Sequence, residues 1–256
     1  MLASFHYLLT CAANELGMLE DATEAILNLR NVQVRFVPSK SDQQQLQPKF
    51  FGTRFYCKVV IPLPDHMFSR LPVNGASIRI IPIFFNVGID HHASIARMFG
   101  PFSTSAFENV LNRDSFNKLK AYVEESAKYL PDDIPDMLRS LKNAVFSNKP
   151  KNVDIFAYSE NICRRAFGIK VTGCKSAKDR TSMAFTVEQA QLLIDNHEVP
   201  SKYNQHVLNE FRSNGTSIEN AYQNTGIRAY AFSYLQLLTF PELYRAQPGT
   251  YGNVQT

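Results

Sequence analysis

The segment VTGCKSAKDRTSMAF, residues 171–185, constrains the fold more than any other part of the sequence. Alternating apolar and polar residues over 169–172 predict a short strand, and apolar residues at helical spacing predict a helix that begins near Thr181. A further helix is predicted over 153–167. The charged loop that starts at Cys174 therefore connects a strand to the N-terminus of a helix.

That loop has the features of a phosphate-binding site. A loop between a strand and a helix N-terminus directs several backbone N–H groups into one small space, where the helix dipole adds to their attraction for an anion. The nucleotide-binding pattern GxxxxGK[ST] is absent, and the first position is a cysteine. A thiol beside cations at a helix N-terminus is more acidic than a free thiol. We therefore expect Cys174 to be a thiolate nucleophile that faces a bound phosphate.

The residues after the cysteine suit the same chemistry. Arg180 lies six positions further on, and its planar guanidinium can contact two phosphate oxygens at once. The hydroxyl of Thr181 can stabilise the thiolate when it leaves. Two lysines, one and four positions after the cysteine, provide more positive charge than one phosphate monoester needs, which indicates a substrate with additional phosphates. The predicted substrate-binding residues are Lys175, Ser176, Ala177 and Lys178.

Protonation of the leaving alcohol needs an acid, a role that contributes about 10²–10⁴-fold in general. Asp179 is next to the arginine inside the loop and is the first candidate, and Asp65 and Asp90 are the alternatives. The alternative interpretation of residues 171–185 is that Cys174 is a buried structural cysteine and that the charged residues beside it form a solvated cluster.

Composition limits the other functions open to the chain. It has 256 residues, a net charge of +4 and a pI of about 8.8, which is compatible with anionic ligands or anionic lipid. Four separated cysteines without a CxxC pair indicate reduced thiols, and no zinc-binding spacing is present. No apolar run reaches the ~18 residues of a membrane span, so no transmembrane helix is predicted. Aromatic and basic residues form no ladder, so nucleic-acid binding is not predicted.

The rest of the chain predicts further helices and strands. Apolar residues at helical spacing predict a helix over about 3–29. With no N-cap before Met1, we expect the chain to begin inside that helix. Cys163 is predicted to be a core thiol, with a disulfide to Cys174 as the alternative, and Gly168 is predicted to end the helix over 153–167. Strands are predicted at 32–37, 54–62 and 77–87, a helix capped by Asp114, and another helix within 131–146.

CKSAKDRTSM, residues 174–183, resembles the active-site motif of the inositol polyphosphate 4-phosphatases, the type I and type II enzymes that act on phosphatidylinositol 3,4-bisphosphate. The two lysines also look like those of the tumour-suppressor lipid phosphatases that remove the 3-phosphate, where they contact the extra phosphates of the inositol ring. The resemblance covers most of the chain. Its other segments are ELGMLED (15–21), FNVGI (85–89), KNVDIF (151–156), ENICRR (160–165) and the tail from AYAFSYLQL to PELYRAQPGTYGNVQT (229–256).

The resemblance implies an α/β fold of the cysteine-phosphatase type. A central sheet would be flanked by helices, with the active site on a strand, C-x5-R loop and helix. Residues 1–256 would form a single phosphatase catalytic domain. Full-length members of the family carry an upstream C2 domain, which is not visible in this sequence, so we expect the chain to be the C-terminal part of a longer protein.

The resemblance also implies the reaction. A phosphatase that needs no metal or cofactor would remove the 4-phosphate of phosphatidylinositol 3,4-bisphosphate, with Cys174 forming a phosphocysteine and Arg180 binding the phosphate. The product would be phosphatidylinositol 3-phosphate. The expected location is cytoplasmic, peripheral to plasma or endosomal membranes that contain phosphoinositides, and no protein partner is implied. Two alternatives are a dual-specificity protein phosphatase, whose substrates do not need the two lysines, and a catalytically silent phosphoinositide-binding fragment.

Overall fold

The computed structural model of the protein describes residues 1–39, 47–53, 55–72, 77–89 and 102–252. The strands in these ranges are β1 (Leu2–Tyr7), β2 (Val32–Ser39), β3 (Lys49–Thr53), β4 (Tyr56–Pro64), β5 (Ser77–Arg79), β6 (Ile81–Asn86) and β7 (Ile169–Gly173). The helices are α1 (Ala13–Leu27), α2 (Asp65–Phe68), α3 (Phe102–Ser126), α4 (Ile134–Phe146), α5 (Asp154–Arg165), α6 (Asp179–Asn196), α7 (Asn204–Asn214), α8 (Thr216–Thr225) and α9 (Tyr234–Leu238).

A three-stranded parallel sheet in the order β6-β1-β7 lies at the centre of the fold. Its strands end together at Tyr7, Asn86 and Gly173, because parallel strands have their carboxyl ends at one edge of a sheet. The backbone N–H of Leu8 donates to the carbonyl of Gly173 at 3.0 Å, and that of Val87 donates to Tyr7 at 3.0 Å. The loops that follow β1 and β7 are therefore held side by side at this edge.

Helices cover both faces of the parallel sheet. Ile83 and Phe85 of β6 are fully buried in the larger core cluster, to which α3, α4 and α5 contribute apolar side chains. Phe84, which points the opposite way, packs with Leu19 and Ile26 of α1. This confirms the predicted α/β class, with sheets flanked by helices.

A buried pair of asparagines fixes the loop between β1 and α1. The side chain of Asn86 accepts from the Leu9 N–H at 3.0 Å and donates to the Leu9 carbonyl at 2.9 Å. Asn112 of α3 in turn satisfies both backbone groups of Asn86, at 2.9 and 2.8 Å. Because buried amides are costly unless their hydrogen bonds are made, these contacts hold the start of α1 at the carboxyl edge of the sheet.

A second sheet contains the strands β3-β4-β2-β5 in that order. β2 and β4 run parallel, whereas the two outer pairings are antiparallel. This sheet joins the parallel sheet at the amino end of β1, where the Met1 ammonium donates to the Arg79 carbonyl at 2.7 Å and the Ile81 N–H donates to Met1 at 2.9 Å. The second sheet therefore meets the parallel sheet at its amino edge, whereas the loop that starts at Cys174 lies at its carboxyl edge.

The prediction of one helix over 3–29 was wrong, because residues 2–7 form β1 and the helix begins only at Ala13. Phe5, Leu8 and Leu9 continue the helical spacing of the apolar residues of α1 towards the N-terminus, so periodicity alone did not separate β1 from the helix that follows it. The chain does not begin inside a helix. Asp114 is not an N-cap either, since it lies within α3 and pairs with Lys118 at 2.6 Å.

The predicted strand 77–87 is two strands that belong to different sheets, β5 and β6. The predictions of strands at 32–37 and 169–172 and of a helix over 153–167 are confirmed within two residues, and the helix predicted within 131–146 is confirmed with its start at Ile134. Within the described parts of the chain, no helix is long and apolar enough to cross a bilayer.

Candidate active site

The loop Cys174–Lys178 connects the end of β7 to the start of α6. Gly173 permits a close approach at its first end, because an added Cβ would lie 2.8 Å from a ring carbon of Tyr7. Near its second end Ala177 has a φ of 49°, a left-handed conformation that costs a non-glycine residue roughly 1–2 kcal/mol. The chain is thus turned sharply from the carboxyl edge of the sheet into the helix.

Cys174 is half-buried and packs against the larger core cluster. The hydroxyl of Thr181, on the first turn of α6, donates to its sulfur at 3.1 Å. A hydroxyl that donates to sulfur stabilises negative charge on it. The sequence analysis paired the Thr181 hydroxyl with the Cys174 sulfur, and these two groups are in contact in the structure.

Arg180 forms a two-pronged ion pair with Glu15 of α1. Its Nη1 lies 2.9 Å from Oε2 and its Nη2 lies 2.5 Å from Oε1, and the two side chains are only 11% and 12% exposed. Glu15 is fixed in turn, because its Oε2 accepts from the Thr10 N–H at 2.8 Å. The plane of the guanidinium is therefore set by a carboxylate from the neighbouring loop.

Sequence reasoning missed Glu15. It belongs to ELGMLED, which entered only as part of the family resemblance, and the wrong helix over 3–29 concealed that α1 starts beside the loop. A correct prediction of β1 would have placed the first turn of the next helix at the same sheet edge as Cys174. The position of β1 was therefore the feature of the sequence that could have identified Glu15.

Asp179 connects the loop to the C-terminal tail. One carboxylate oxygen accepts from the backbone N–H of Ala231 at 2.9 Å. The other lies 2.8 Å from the ammonium of Lys178. Lys178 is buried, and its ammonium forms an ion pair with Asp179. Within the described residues, its Nζ meets the geometric criteria for no hydrogen bond.

A pocket of about 410 Å³ opens beside the loop. Four of the predicted residues line it with polar groups from the loop and α6, and the opposite wall comes from the tail. Cys174 is not among its lining residues, whereas the two residues that follow it in the motif are. The lining residues are Glu15, Lys175, Ser176, Asp179, Arg180, Ala231, Phe232, Gln236 and Phe240.

The other predicted site residues lie outside the pocket lining. Ala177 is exposed on the loop, and Lys178 is buried behind it. Asp65, an alternative acid, is exposed at the start of α2 after β4 and does not line the pocket. Asp90, the other alternative, lies outside the described residues.

The buried guanidinium of Arg212 on α7 supports the tail. It donates to the carbonyls of Leu243 at 2.6 Å and Arg245 at 2.8 Å, and to the Thr186 hydroxyl of α6 at 2.9 Å. Burial lowers the pKa of Arg212 to about 10. Because this side chain bridges α6 and the segment after α9, it holds the tail against the helix that follows the loop.

The remaining cysteines are not part of the pocket lining. All four are free thiols, so the alternative of a disulfide between Cys163 and Cys174 is wrong and the prediction of a buried core thiol at Cys163 is confirmed. Burial raises the pKa of the Cys163 thiol to about 11. Across the described ranges, no three His, Cys, Asp or Glu side chains are grouped so that they could hold a metal ion.

The family model described as the INPP4A C-terminal domain matches residues 1–244. The chain therefore belongs to this family, which confirms the family resemblance found in the sequence. Inositol polyphosphate 4-phosphatase type II of Homo sapiens is 35% identical over 269 residues, which cover 100% of this chain and 29% of that protein. Type II inositol 3,4-bisphosphate 4-phosphatase of Rattus norvegicus is 34% identical, over 100% of this chain and 28% of that protein.

A relative with a different kind of name is the phosphatidylinositol 3,4,5-trisphosphate-dependent Rac exchanger 2 protein of Homo sapiens. It is 23% identical over 272 residues, which cover 88% of this chain and 17% of that protein. The chain spans less than a third of the length of each of these relatives.

Proposed function

We propose that the chain is the catalytic part of a phosphoinositide 4-phosphatase. It removes the 4-phosphate of phosphatidylinositol 3,4-bisphosphate and leaves phosphatidylinositol 3-phosphate, at the cytoplasmic surface of membranes that contain the lipid. The observation that carries the proposal is the C-x5-R loop at the carboxyl edge of the parallel sheet, with Thr181 on the sulfur of Cys174 and Arg180 in an adjoining pocket. In this proposal residues 1–256 form one catalytic domain with a cysteine-phosphatase-like fold.

Arg180 and Lys175 bind the substrate phosphates. A guanidinium has five N–H donors in a fixed fork, an arrangement that suits bidentate binding of phosphate oxygens. Lys175 is exposed at the pocket wall and contacts the phosphate that remains on the ring. Ser176 and Ala177 contribute backbone N–H groups of the loop. Lys178 is buried beneath the loop and affects the substrate indirectly, because its ammonium helps to position the Asp179 carboxylate.

The first chemical step transfers the phosphoryl group to Cys174. The thiolate sulfur attacks phosphorus, so that an S–P bond forms while the bond between phosphorus and the inositol oxygen breaks. Arg180 stabilises the charge on the equatorial oxygens in the transition state. The departing oxygen takes a proton from Asp179, which lines the pocket and is held in place by the Ala231 N–H.

The second step restores the enzyme. Water attacks the phosphocysteine and gives its proton to the Asp179 carboxylate, which is the reverse of the first proton transfer. The S–P bond breaks and inorganic phosphate leaves. The Thr181 hydroxyl, 3.1 Å from the sulfur, stabilises the thiolate that results.

A second candidate function is phosphoinositide binding without turnover. Two observations favour it: Arg180 is engaged by Glu15, and one group of relatives is named for exchange activity that depends on phosphatidylinositol 3,4,5-trisphosphate. The two functions differ in whether bound lipid is hydrolysed.

The test is phosphate release from a panel of water-soluble short-chain phosphoinositides in the presence of EDTA, with a phosphotyrosine peptide included. We expect release from the 3,4-bisphosphate with the 3-phosphate as product, and a larger loss for Lys175→Ala on the bisphosphate than on the 4-monophosphate. Release from the peptide alone would favour the protein phosphatase. Binding of the bisphosphate without release would leave the binding function.

A further inference from the structure

The short helix α9 (Tyr234–Leu238) lies at the wall of the pocket. Gln236 lines the pocket, and Leu237 is buried in the core. The other three side chains of the helix are apolar or aromatic and point outward: Tyr234 is 62% exposed, Leu235 is 74% exposed and Leu238 is 52% exposed. Positions i, i+1 and i+4 of a helix lie on one side, so they form a continuous apolar patch beside the pocket.

The local contacts hold this patch rigidly outward. Ser233 and Gln236 form a reciprocal cap at the start of α9, with the Gln236 N–H donating to the Ser233 hydroxyl at 3.2 Å and the Ser233 N–H donating to the Gln236 side chain at 2.8 Å. The buried side chain of Leu237 anchors the helix from below. Together the cap and the buried Leu237 side chain determine which face of α9 is exposed.

Two cations contact the backbone that follows α9, and a third lies in the wall of the pocket. Lys151 donates to the Thr239 carbonyl at 2.5 Å, and the Arg245 Nε donates to the Phe240 carbonyl at 3.0 Å. Lys175 is exposed on the pocket side. Glu242 is the acid of the tail segment that follows the helix, and it is exposed there. An apolar patch with neighbouring cations is the composition of a surface that binds anionic lipid.

We propose that α9 docks the chain on an anionic lipid bilayer, with Tyr234, Leu235 and Leu238 at the depth of the headgroups. This inference rests on the proposed function, because a pocket for a lipid headgroup must meet the membrane at its mouth. Side chains of this kind enter only the headgroup and upper acyl region, about 5–10 Å deep. Tyrosine suits that depth, because its ring is apolar and its hydroxyl stays in contact with water.

A rival surface is the β3–β4 hairpin, where Phe50, Phe51, Phe55 and Tyr56 are exposed. Residues 28–80 are also basic, with eight Lys and Arg against two Asp and Glu. This sheet joins the fold at the amino end of β1, whereas the pocket lies beyond its carboxyl end. The six residues of β1 span about 20 Å. A bilayer on the hairpin would thus hold the pocket away from lipid, whereas a bilayer on α9 brings the pocket to it.

The experiment compares Leu235→Ser with Phe50→Ser, which removes an exposed apolar side chain from the rival surface. Sedimentation with phosphatidylcholine–phosphatidylserine vesicles measures docking, and phosphate release measures turnover of vesicle-bound and short-chain phosphatidylinositol 3,4-bisphosphate. We expect Leu235→Ser to lower vesicle binding and vesicle turnover about tenfold, because the change removes an apolar side chain that the bilayer would bury. Turnover of the short-chain substrate stays at the native rate, and Phe50→Ser matches the native protein throughout.

Several results would overturn the inference. These are absence of vesicle binding by the native protein, native vesicle binding by Leu235→Ser, and a loss confined to Phe50→Ser. A change of oligomeric state in Leu235→Ser with unchanged vesicle binding would assign the patch to a second copy of the chain. If no variant releases phosphate from the short-chain substrate but vesicle binding still depends on Leu235, the proposed function fails and the docking surface stands.

Discussion

At the scale of single residues, Arg180 shows most clearly how the site is organised. Its guanidinium is almost buried and is held by two contacts to Glu15. A carboxylate that contacts both terminal nitrogens fixes the orientation of the planar guanidinium. Lysine has the same charge but a single rotating ammonium, so it cannot reproduce that arrangement.

We therefore expect Arg180→Lys to lower kcat/KM for the short-chain bisphosphate by about 10²–10³-fold, the cost of removing one aligned donor from a charged transition state. Arg164→Lys is the matched control, because Arg164 pairs with Glu188 at 3.2 Å and does not line the pocket. Its activity should equal that of the native protein. A native rate for Arg180→Lys would remove the arginine from the mechanism.

The sequence alone allowed the prediction that Cys174 and Thr181 lie close together, because they belong to one short segment. It did not allow the prediction of Glu15, which is 165 positions away from Arg180. It also did not show that Lys178 is buried while Lys175 is exposed, since the direction of each side chain depends on the left-handed turn at Ala177.

At the scale of elements, the turn between α5 and β7 determines where the loop begins. Phe167, not the predicted Gly168, has the left-handed φ of 52°. Gly168 has a different role, because the chain passes very close to its neighbours there. An added Cβ would lie 2.7 Å from the Cys163 sulfur and 3.0 Å from the Leu2 carbonyl of β1.

Gly168→Ala should therefore lower the free energy of unfolding by about 1–3 kcal/mol, the usual cost of overpacking. Gly17→Ala is the control, because nothing lies within 4 Å of a Cβ at that exposed position in α1. There the same change should raise stability by about 0.5–1 kcal/mol, since alanine favours a helix. Urea denaturation measures both, and shifts in the same direction would contradict this account of the turn.

Elements with one exposed face were predictable, whereas the centre of the sheet was not. α4 and α5 alternate buried and exposed positions at helical spacing, so the pattern identifies them. β1 has four of its six residues buried and carries no such alternation. Its identity as a strand comes from pairing with β6 and β7, which are distant in sequence.

At the scale of the whole molecule, the family and the α/β class follow from the sequence, but the division into two sheets does not. The segment 77–87 reads as one strand, yet its halves pair with β2 and with β1 in different sheets. That division puts the basic four-stranded sheet at one end and the pocket at the other. The tail also needed the structure, since the contacts of Asp179 and Arg212 bring it to the loop.

The central claim is that Cys174 is the nucleophile, and a comparison of two Cys→Ser variants tests it most directly. Phosphate release from short-chain phosphatidylinositol 3,4-bisphosphate is measured in EDTA for the native protein, Cys174→Ser and Cys57→Ser. Cys57 is the matched control, because it is also a half-buried free thiol but lies in β4. We expect Cys174→Ser to lose at least about 10⁴-fold in rate and Cys57→Ser to keep the native rate. Release by Cys174→Ser at a rate near that of the native protein would contradict the account.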